Sequence, residues 1–562
     1  MPEYLAPAVF VEETSFRAKS IEGVGTSTAA FVGMTARGPV SVTPSDPTPP
    51  LLTSFRDFER YYGGVDDLTA GTARATNYVA LAAQAFFNNG GGRLYVARIL
   101  GAGAAAPTPV VLNSGSPAAA KKVTLSARSA NGSAYRVTIS QSAHATTQAL
   151  ALRQPAGTAI QVGNAVSVVG VDTIAADDTA GAILTYNVLV EDSTGPVYEA
   201  GGLGIHPKHP RYIATVMGAK PPVAGDALTN PVAIDIGASA SAADVAAALM
   251  NGANDQNVRT ITLTGGSDGA APSTADYQAA LDSLLALEDV SIVAAPGAST
   301  FGDTVAAAVN QALIGHAEAR RAYRIAVLDP PPNADIAGVR ALKSKIDSKY
   351  AALYYPWITI ANPAAAVDAT LPGTVDVPPS GAVCGIYART DVQRGVWKAP
   401  ANETVTGALA LQRDVRFGEQ EVLNPLGINC IRALPNRGIR VWGARTISSD
   451  PEWKYVNIRR YFLYLEASID RGTQWAVFEP NGEALWANVR TTVSDFLYNE
   501  WVSGALLGGT PKEAFFVRCD RTTMTQNDLD NGRLICLVGV AALKPAEFVI
   551  FRIGQKTADA RS

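Results

Sequence analysis

The run Ala546-Glu-Phe-Val-Ile-Phe-Arg-Ile-Gly554 closes the chain with aromatic and β-branched residues directly after a Lys544-Pro545 break. Such composition favours an extended strand, and the proline keeps it from continuing any preceding helix. The first residues mirror it. Tyr4-Leu-Ala-Pro-Ala-Val-Phe-Val-Glu-Glu13 reads as a short extended arm, with Pro2 and Pro7 excluding helix. A chain with an adhesive strand at each end can add both to the sheet of a neighbour, and repetition of that exchange makes a polymer. Val9, Phe10 and Val11 are the expected exchanged residues of the first arm, and Phe548, Ile550 and Phe551 those of the second.

The rest of the chain provides a large core. Of 562 residues 47% are hydrophobic and only 17% charged, a length for roughly three to four domains of about 150 residues. With 46 basic against 50 acidic residues, neither nucleic acid nor an anionic membrane is expected as a partner. No apolar run reaches the ~18 residues that read as a membrane span, and Glu12 and Glu13 fall where a signal peptide would be apolar. The expectation is a protein made and folded in the cytoplasm. Cys384, Cys430, Cys519 and Cys536 are widely spaced without a C-x-x-C pair, which indicates neither a zinc site nor a disulfide framework.

Along the chain, the arm (1–20) leads into a strand at 27–33, a helix at 78–87 stopped by Asn88-Asn-Gly-Gly-Gly92, and a strand at 93–100. From Gly101 to 257 the chain becomes rich in Ala, Gly, Ser, Thr and Val, and short alternating runs such as 135–140 and 186–190 predict an inserted β-rich outer domain. Strands at 259–263, 290–294 and 323–328 separated by helices near 274–287 and 304–321 predict a mostly parallel sheet in a middle α/β domain, 258–427. Asp450-Pro451-Glu452 is a helix start, opening a buried helix at 453–469. A second helix at 484–506 and strands at 514–518 and 534–540 lead to the terminal arm, 546–562. This section is slightly basic, with 17 Lys and Arg against 14 Asp and Glu from residue 428 on. Residues 21–100 form a small, strand-poor unit, so they are expected to fold with 428–545 as one discontinuous inner α/β domain. The fold class is thus α+β or α/β multidomain.

Chemistry-bearing patterns are weak. Gly265-Gly-Ser-Asp-Gly269 satisfies G-x-S-x-G after a strand, and a serine hydrolase on the middle domain is the enzymatic alternative. Such a mechanism needs a histidine, and His316 is the only one downstream; Pro272 also delays the helix that should follow the serine. His206-Pro-Lys-His209 lacks further ligands nearby. Gly23-Val-Gly25 lacks the full dinucleotide fingerprint. Asp329-Pro-Pro-Pro332 ends a parallel strand, where ligand sites of α/β sheets usually sit, although the prolines more simply terminate it. Trp453, Tyr455, Tyr461, Tyr464, Trp475, Trp486 and Trp501 could stack on nucleotides, but interspersed acids favour core and subunit contact. No cofactor or metal site is expected, and the reading is a structural protein, not an enzyme.

Several long segments in fixed order resemble the contractile tail sheath family of contractile phage tails, R-type pyocins and extracellular injection systems. They are Tyr4-Leu-Ala-Pro-Ala-Val-Phe-Val-Glu-Glu13, Ile21-Glu-Gly-Val-Gly-Thr-Ser-Thr-Ala-Ala-Phe-Val-Gly33, Leu263-Thr-Gly-Gly-Ser-Asp-Gly269 and Asn436-Arg-Gly-Ile-Arg-Val-Trp-Gly-Ala-Arg445, then Arg459-Arg-Tyr-Phe462 to Ile469-Asp-Arg-Gly472, Ala514-Phe-Phe-Val-Arg-Cys-Asp520 to Gly532, and Pro545-Ala-Glu-Phe548. The resemblance implies a virion or injection-particle subunit stacked as hexameric rings around an inner tube, with both arms joining strands of adjacent copies. Its implied partners are further copies of itself, the inner tube protein, and baseplate and tail-terminator or cap proteins. Arg490, Asp495 and Arg521 are the candidates for facing the tube. The other non-enzymatic alternative is a different shell or adhesin subunit.

Overall fold

The computed structural model describes residues 20–551 apart from 41–47, 71–72, 114–121, 164, 175–180, 255 and 367. The chain divides into two compact units. One holds Thr26–Arg394 and Lys398–Val456; the other holds Gly395–Trp397 and the chain from Asn457 on, with the described start of the chain up to Gly25.

The first unit is built on an eight-stranded sheet. Its order is Glu403–Thr404, Gly438–Val441, Ile428–Leu434, Ala351–Tyr355, Ile325–Leu328, Ile292–Ala294, Thr28–Gly33 and Arg93–Arg98. The six strands from Ile428–Leu434 to Arg93–Arg98 are parallel, and Gly438–Val441 and Glu403–Thr404 close one edge antiparallel. Strands such as Ile325-Ala-Val-Leu328 are apolar at every position because both sheet faces are covered. One face packs on helices Thr274–Leu284 and Asp303–Glu318 through Val32, Val293, Leu328, Leu353 and Tyr355. On the other, Phe31 meets Phe86 edge-on at 5.8 Å, and the Tyr354 and Tyr387 hydroxyls are 2.7 Å apart. Those partners come from helices Tyr78–Asn88 and Ser380–Arg394. These two helices approach closely at Gly381 and Gly385, where a Cβ would overlap the backbone of Ala82 and Phe86.

The insertion leaves this sheet after Arg98 and is β-rich, as its composition predicts. Val258–Leu263, Tyr135–Thr146, Gly181–Asp192, Ala159–Val162 and Ala165–Val168 form an antiparallel sheet, with Gly195–Leu203 also paired to Gly181–Asp192. A three-stranded sheet (Val232–Ile236, Val123–Ala127, Val110–Leu112) and helix Ala242–Met250 share its core. Entry and exit are stitched together: Ala105 and Ser267 exchange both backbone hydrogen bonds at 2.8–2.9 Å, and Ala270 N–H donates to Ala102 O at 3.0 Å. Two ion pairs bolt the insertion to the central sheet. Arg98 reaches Asp268 at 3.2 Å and the carbonyls of Gly38 and Ala130 at 3.1 and 3.0 Å, while Arg37 pairs with Asp192.

Two expectations differ from this arrangement. Residues 21–100 and 428–545 do not make one domain: Thr28–Gly33 lies between Arg93–Arg98 and Ile292–Ala294, and Ile428–Leu434 pairs with Ala351–Tyr355. The early strands find their parallel partners across the insertion, and only residues up to Gly25 join 457–545. The strand at 258–263 belongs to the insertion rather than the middle sheet, pairing antiparallel with Tyr135–Thr146. The insertion therefore extends past 257, to the paired stem near Ser267.

The second unit carries helices Val456–Gly472 (from its second residue) and Glu483–Val502 and the hairpin Phe515–Arg518/Leu537–Val540 around one apolar core. Asp450 accepts from Glu452 N–H at 2.9 Å in the short turn preceding the first helix. The second helix ends at Val502, before the expected 506, with Gly504 at φ +83°.

Candidate functional site

The C-terminal hairpin and tail of the second unit hold Phe548, Ile550 and Phe551, with Arg521 in the loop between the hairpin strands. Phe515–Arg518 pairs with Leu537–Val540 as an antiparallel ribbon of two four-residue strands, Phe515 opposite Val540 and Arg518 opposite Leu537. A ribbon this short is marginal alone. One side packs into the core through Phe515, Val517 and Val540, while Phe516, Leu537 and Val538 stay exposed. Among the described residues no third strand joins it, so both outer edges carry unpaired backbone donors and acceptors.

Hydrogen bonds hold the chain up to Leu543. Ala541 N–H donates to Ala514 O at 2.8 Å, Leu507 N–H donates to Ala541 O at 2.8 Å, and Asn457 Nδ2 donates to Leu543 O at 3.1 Å. Beyond the Lys544-Pro545 break, Phe548, Val549, Ile550 and Phe551 are 69–83% exposed and in no ladder. Four consecutive large apolar side chains in water are an unusual surface. Val9, Phe10 and Val11 lie outside the described residues.

The root of the other arm is clamped within the same unit. Val24 N–H donates to Ser468 Oγ at 3.1 Å, and Gly23 passes so close to the Tyr464 hydroxyl that a Cβ would overlap it. Tyr464 and Tyr461 donate to the two oxygens of Glu500 at 2.8 and 3.1 Å. Burial raises the Glu500 carboxyl, with the two tyrosine hydrogen bonds opposing. The tryptophans serve packing: Trp486 Nε1 donates to Asn481 Oδ1 at 2.7 Å and Trp501 Nε1 to Gly508 O at 2.9 Å.

Of the three residues expected to face a tube, Asp495 and Arg521 are exposed, Arg521 donating to Gln526 Oε1 at 2.6 Å. Arg490 is half-buried and its guanidinium donates to Cys519 O at 3.4 Å. The exposed hairpin residues Phe516, Leu537 and Val538 were not singled out in the sequence. Their signal is two short runs rich in aromatic and β-branched residues, Phe515–Arg518 and Leu537–Val540.

The weaker motifs take structural roles. Ser267 Oγ accepts from Gly269 N–H at 3.0 Å in the insertion stem, whereas His316 packs against Arg324, Nε2 to Nη1 2.6 Å. His206 Nδ1 and His209 Nδ1 accept from the backbone N–H of Lys208 and Arg211 at 3.2 and 3.1 Å. Asp329 caps helix Ser380–Arg394, accepting from Ser380 N–H at 2.9 Å and Ser380 Oγ at 2.6 Å. Among the described residues no group of three His, Cys, Asp or Glu is placed to hold a metal, and no helix is long and apolar enough to cross a membrane.

Residues 270–447 match the phage tail sheath protein central domain and 448–556 the phage tail sheath C-terminal domain, together just over half of the chain. The chain belongs to the contractile tail sheath family. It is 28% identical over 259 residues to a putative prophage major tail sheath protein of Pseudomonas aeruginosa (strain UCBPP-PA14), covering 45% of this chain and 62% of that one. Against the tail sheath protein of Enterobacteria phage T4 it is 24% identical over 309 residues, covering 51% and 46%. These matches span less than two thirds of either relative.

The same fold is seen in the helical sheath of the anti-feeding prophage in its contracted state, at 22% identity, TM-score 0.54, and 98% and 100% coverage of the two chains. The sheath complex of the extracellular contractile injection system PVC, also contracted, gives 21% identity, TM-score 0.53, and 99% coverage of each chain. A sheath tail protein from Listeria innocua gives 11% identity and TM-score 0.54 over 93% and 97%. A sheath-family chain thus carries the hairpin and exposed tail described above.

Proposed function

We propose that the protein is the structural subunit of a contractile sheath, assembled in the cytoplasm as stacked hexameric rings around an inner tube and contracting to drive that tube through a target envelope. The exposed run Phe548–Val549–Ile550–Phe551 in a member of this family carries the reading. An extended segment with apolar side chains on both faces is stable only when a sheet receives it. The two-stranded hairpin of a neighbouring copy, with its open edges and exposed Phe516 and Val538, is the proposed acceptor.

Residues 1–20, through Val9, Phe10 and Val11, are proposed to supply the second exchanged strand. Main-chain hydrogen bonds between copies would persist while side-chain contacts between rings repack, so that the lattice shortens without parting. Asp495 and Arg521 remain the exposed candidates for the tube surface, and baseplate and terminator proteins the proposed partners at the two ends. The Ser267 surroundings favour no hydrolytic reading, and the protein is proposed to act without catalysis or cofactor.

Deletion of 546–562 tests this. The full chain should form hollow striated cylinders in electron micrographs, and the truncated chain should stay folded and soluble without them. Normal cylinders from the truncated chain would falsify arm exchange; closed shells from the full chain would favour a different shell protein.

A further inference from the structure

The antiparallel register that sets Arg518 opposite Leu537, carried one step further, sets Cys519 opposite Cys536. Cys519 is buried in the core of the second unit and Cys536 is half-buried at its margin. The two thiols lie within hydrogen-bonding reach of each other. The loop between them is tied without sulfur: Thr523 Oγ1 lies 2.8 Å from Ile535 O and 2.9 Å from Asp520 O. Residues opposite one another in an antiparallel pair have Cα atoms roughly 4.5–5.5 Å apart, inside the ~4.4–6.8 Å that a disulfide spans. Cys384 and Cys430 sit in the other unit, each buried.

We propose that Cys519 and Cys536 are a redox pair, thiols under reducing conditions and a disulfide once the chain meets a small-molecule disulfide such as oxidised glutathione. The Cys536 thiolate, the more accessible, attacks one oxidant sulfur; the oxidant S–S bond breaks and one glutathione thiolate leaves. The Cys519 thiolate then attacks Cys536 Sγ and expels the second glutathione. Two protein thiols are oxidised to one disulfide, one glutathione disulfide is reduced to two thiols, and the two protons lost by the protein pass to the departing glutathiones. Burial pushes the Cys536 thiol up to about 12 and raises Cys519 as well. Thiolate is therefore scarce near neutrality, and the exchange is slow there and faster as pH rises.

The disulfide closes the loop at the mouth of the hairpin. That this stiffens the acceptor for a neighbour's strands rests on the sheath reading; the sulfur chemistry does not.

The experiment incubates the full chain with oxidised glutathione at mildly alkaline pH, alkylates it under denaturing conditions, and maps the peptides by mass spectrometry. The expected result is one peptide pair joined through Cys519 and Cys536, separated by reduction, with Cys384 and Cys430 recovered alkylated. Cys519→Ser should instead retain glutathione on Cys536. Recovery of both Cys519 and Cys536 as alkylated thiols from the oxidised wild-type chain overturns the proposal, as does wild-type chain that keeps glutathione on Cys536. Neither readout depends on that variant folding or on cylinders forming, so a failure here leaves the sheath reading untouched, and the reverse holds too.

Discussion

The central sheet and the C-terminal tail use apolar residues in opposite ways. In Ile325–Leu328 every side chain is buried by helices of the same unit. In Phe548–Phe551 every side chain faces water, although the composition is at least as apolar. Burying a side chain of this size contributes about 1.5–3 kcal/mol. The first segment has realised that contribution within its own chain, and the second has not. If arm exchange operates as proposed, stability and assembly are separable, and each can be attacked without touching the other.

The largest expected effect is on assembly. Phe548 and Ile550 lie two apart, on one face of an extended segment. Phe548→Asp combined with Ile550→Asp should abolish cylinder formation, while the unfolding free energy of the unassembled chain stays within about 0.5 kcal/mol of wild type, as at exposed sites. A drop typical of core positions, measured by urea unfolding, would mean that the tail packs on its own chain and would break the contrast. The converse change is Arg98→Ala. It leaves Asp268 buried without its guanidinium and removes the bonds to Gly38 and Ala130, so a loss of about 3–5 kcal/mol is expected in the same assay. A loss below about 1 kcal/mol would show that this bolt of the insertion is dispensable.

A subtler effect separates two buried ionisable groups of the central unit. Burial, against the hydrogen bonds from Ser380, holds the Asp329 carboxyl up at about 7. Between about 4 and 7 the folded chain keeps a proton that the unfolded chain has shed, so this contribution is present in acid and is lost as pH rises through 7. His316 behaves oppositely. Burial, with Arg324 adding to it, holds the imidazole down at about 3, so the unfolded chain alone takes up a proton below about 6.5 and stability falls as pH drops from there towards 3. Asp329→Asn keeps an acceptor for Ser380 N–H and removes the first contribution. The urea midpoint of wild type should fall relative to the variant between about pH 4 and 7, where only the folded chain keeps the Asp329 proton, and the two curves should run parallel above that. Parallel curves within that window as well would mean that Asp329 is ionised throughout. Glu500, raised by burial in the other unit, tilts both curves alike and cancels in the comparison.

The elements were more legible than their partners. Thr28–Gly33, Tyr78–Asn88 and Arg93–Arg98 follow from apolar runs and an Asn-Gly stop, but a parallel strand says nothing about which distant strand lies beside it. The pattern of residues 21–100 thus does not reveal that Thr28–Gly33 lies between Arg93–Arg98 and Ile292–Ala294. The strand Val258–Leu263 shows what was available: Thr260 and Thr262 alternate with Ile261 and Leu263, the period of a sheet with one wet face, whereas Ile325-Ala-Val-Leu328 has none. Alternation separates the antiparallel insertion from the parallel core, and reading it would have moved the boundary. Within the site, the tail was legible because a Lys-Pro break precedes an apolar run. The Cys519–Cys536 juxtaposition was not, since a wide cysteine spacing acquires meaning only through the hairpin register.

The smallest effect is expected at the other end of the strand that carries Arg98. Arg93 pairs with Asp289 at 2.8 Å and its Nε reaches Thr28 Oγ1 at 3.1 Å, contacts as short as those of Arg98. Its side chain is 47% exposed, however, where that of Arg98 is fully buried. Water and salt screen the pair at Arg93, and removal of one partner leaves the other solvated instead of stranded. Arg93→Ala should therefore cost no more than about 1 kcal/mol, and that cost should shrink as salt is added. The Arg98→Ala cost should change little with salt, because no counter-ion reaches Asp268. Equal costs for the two substitutions, or equal salt dependence, would show that contact geometry rather than burial sets the strength of these pairs.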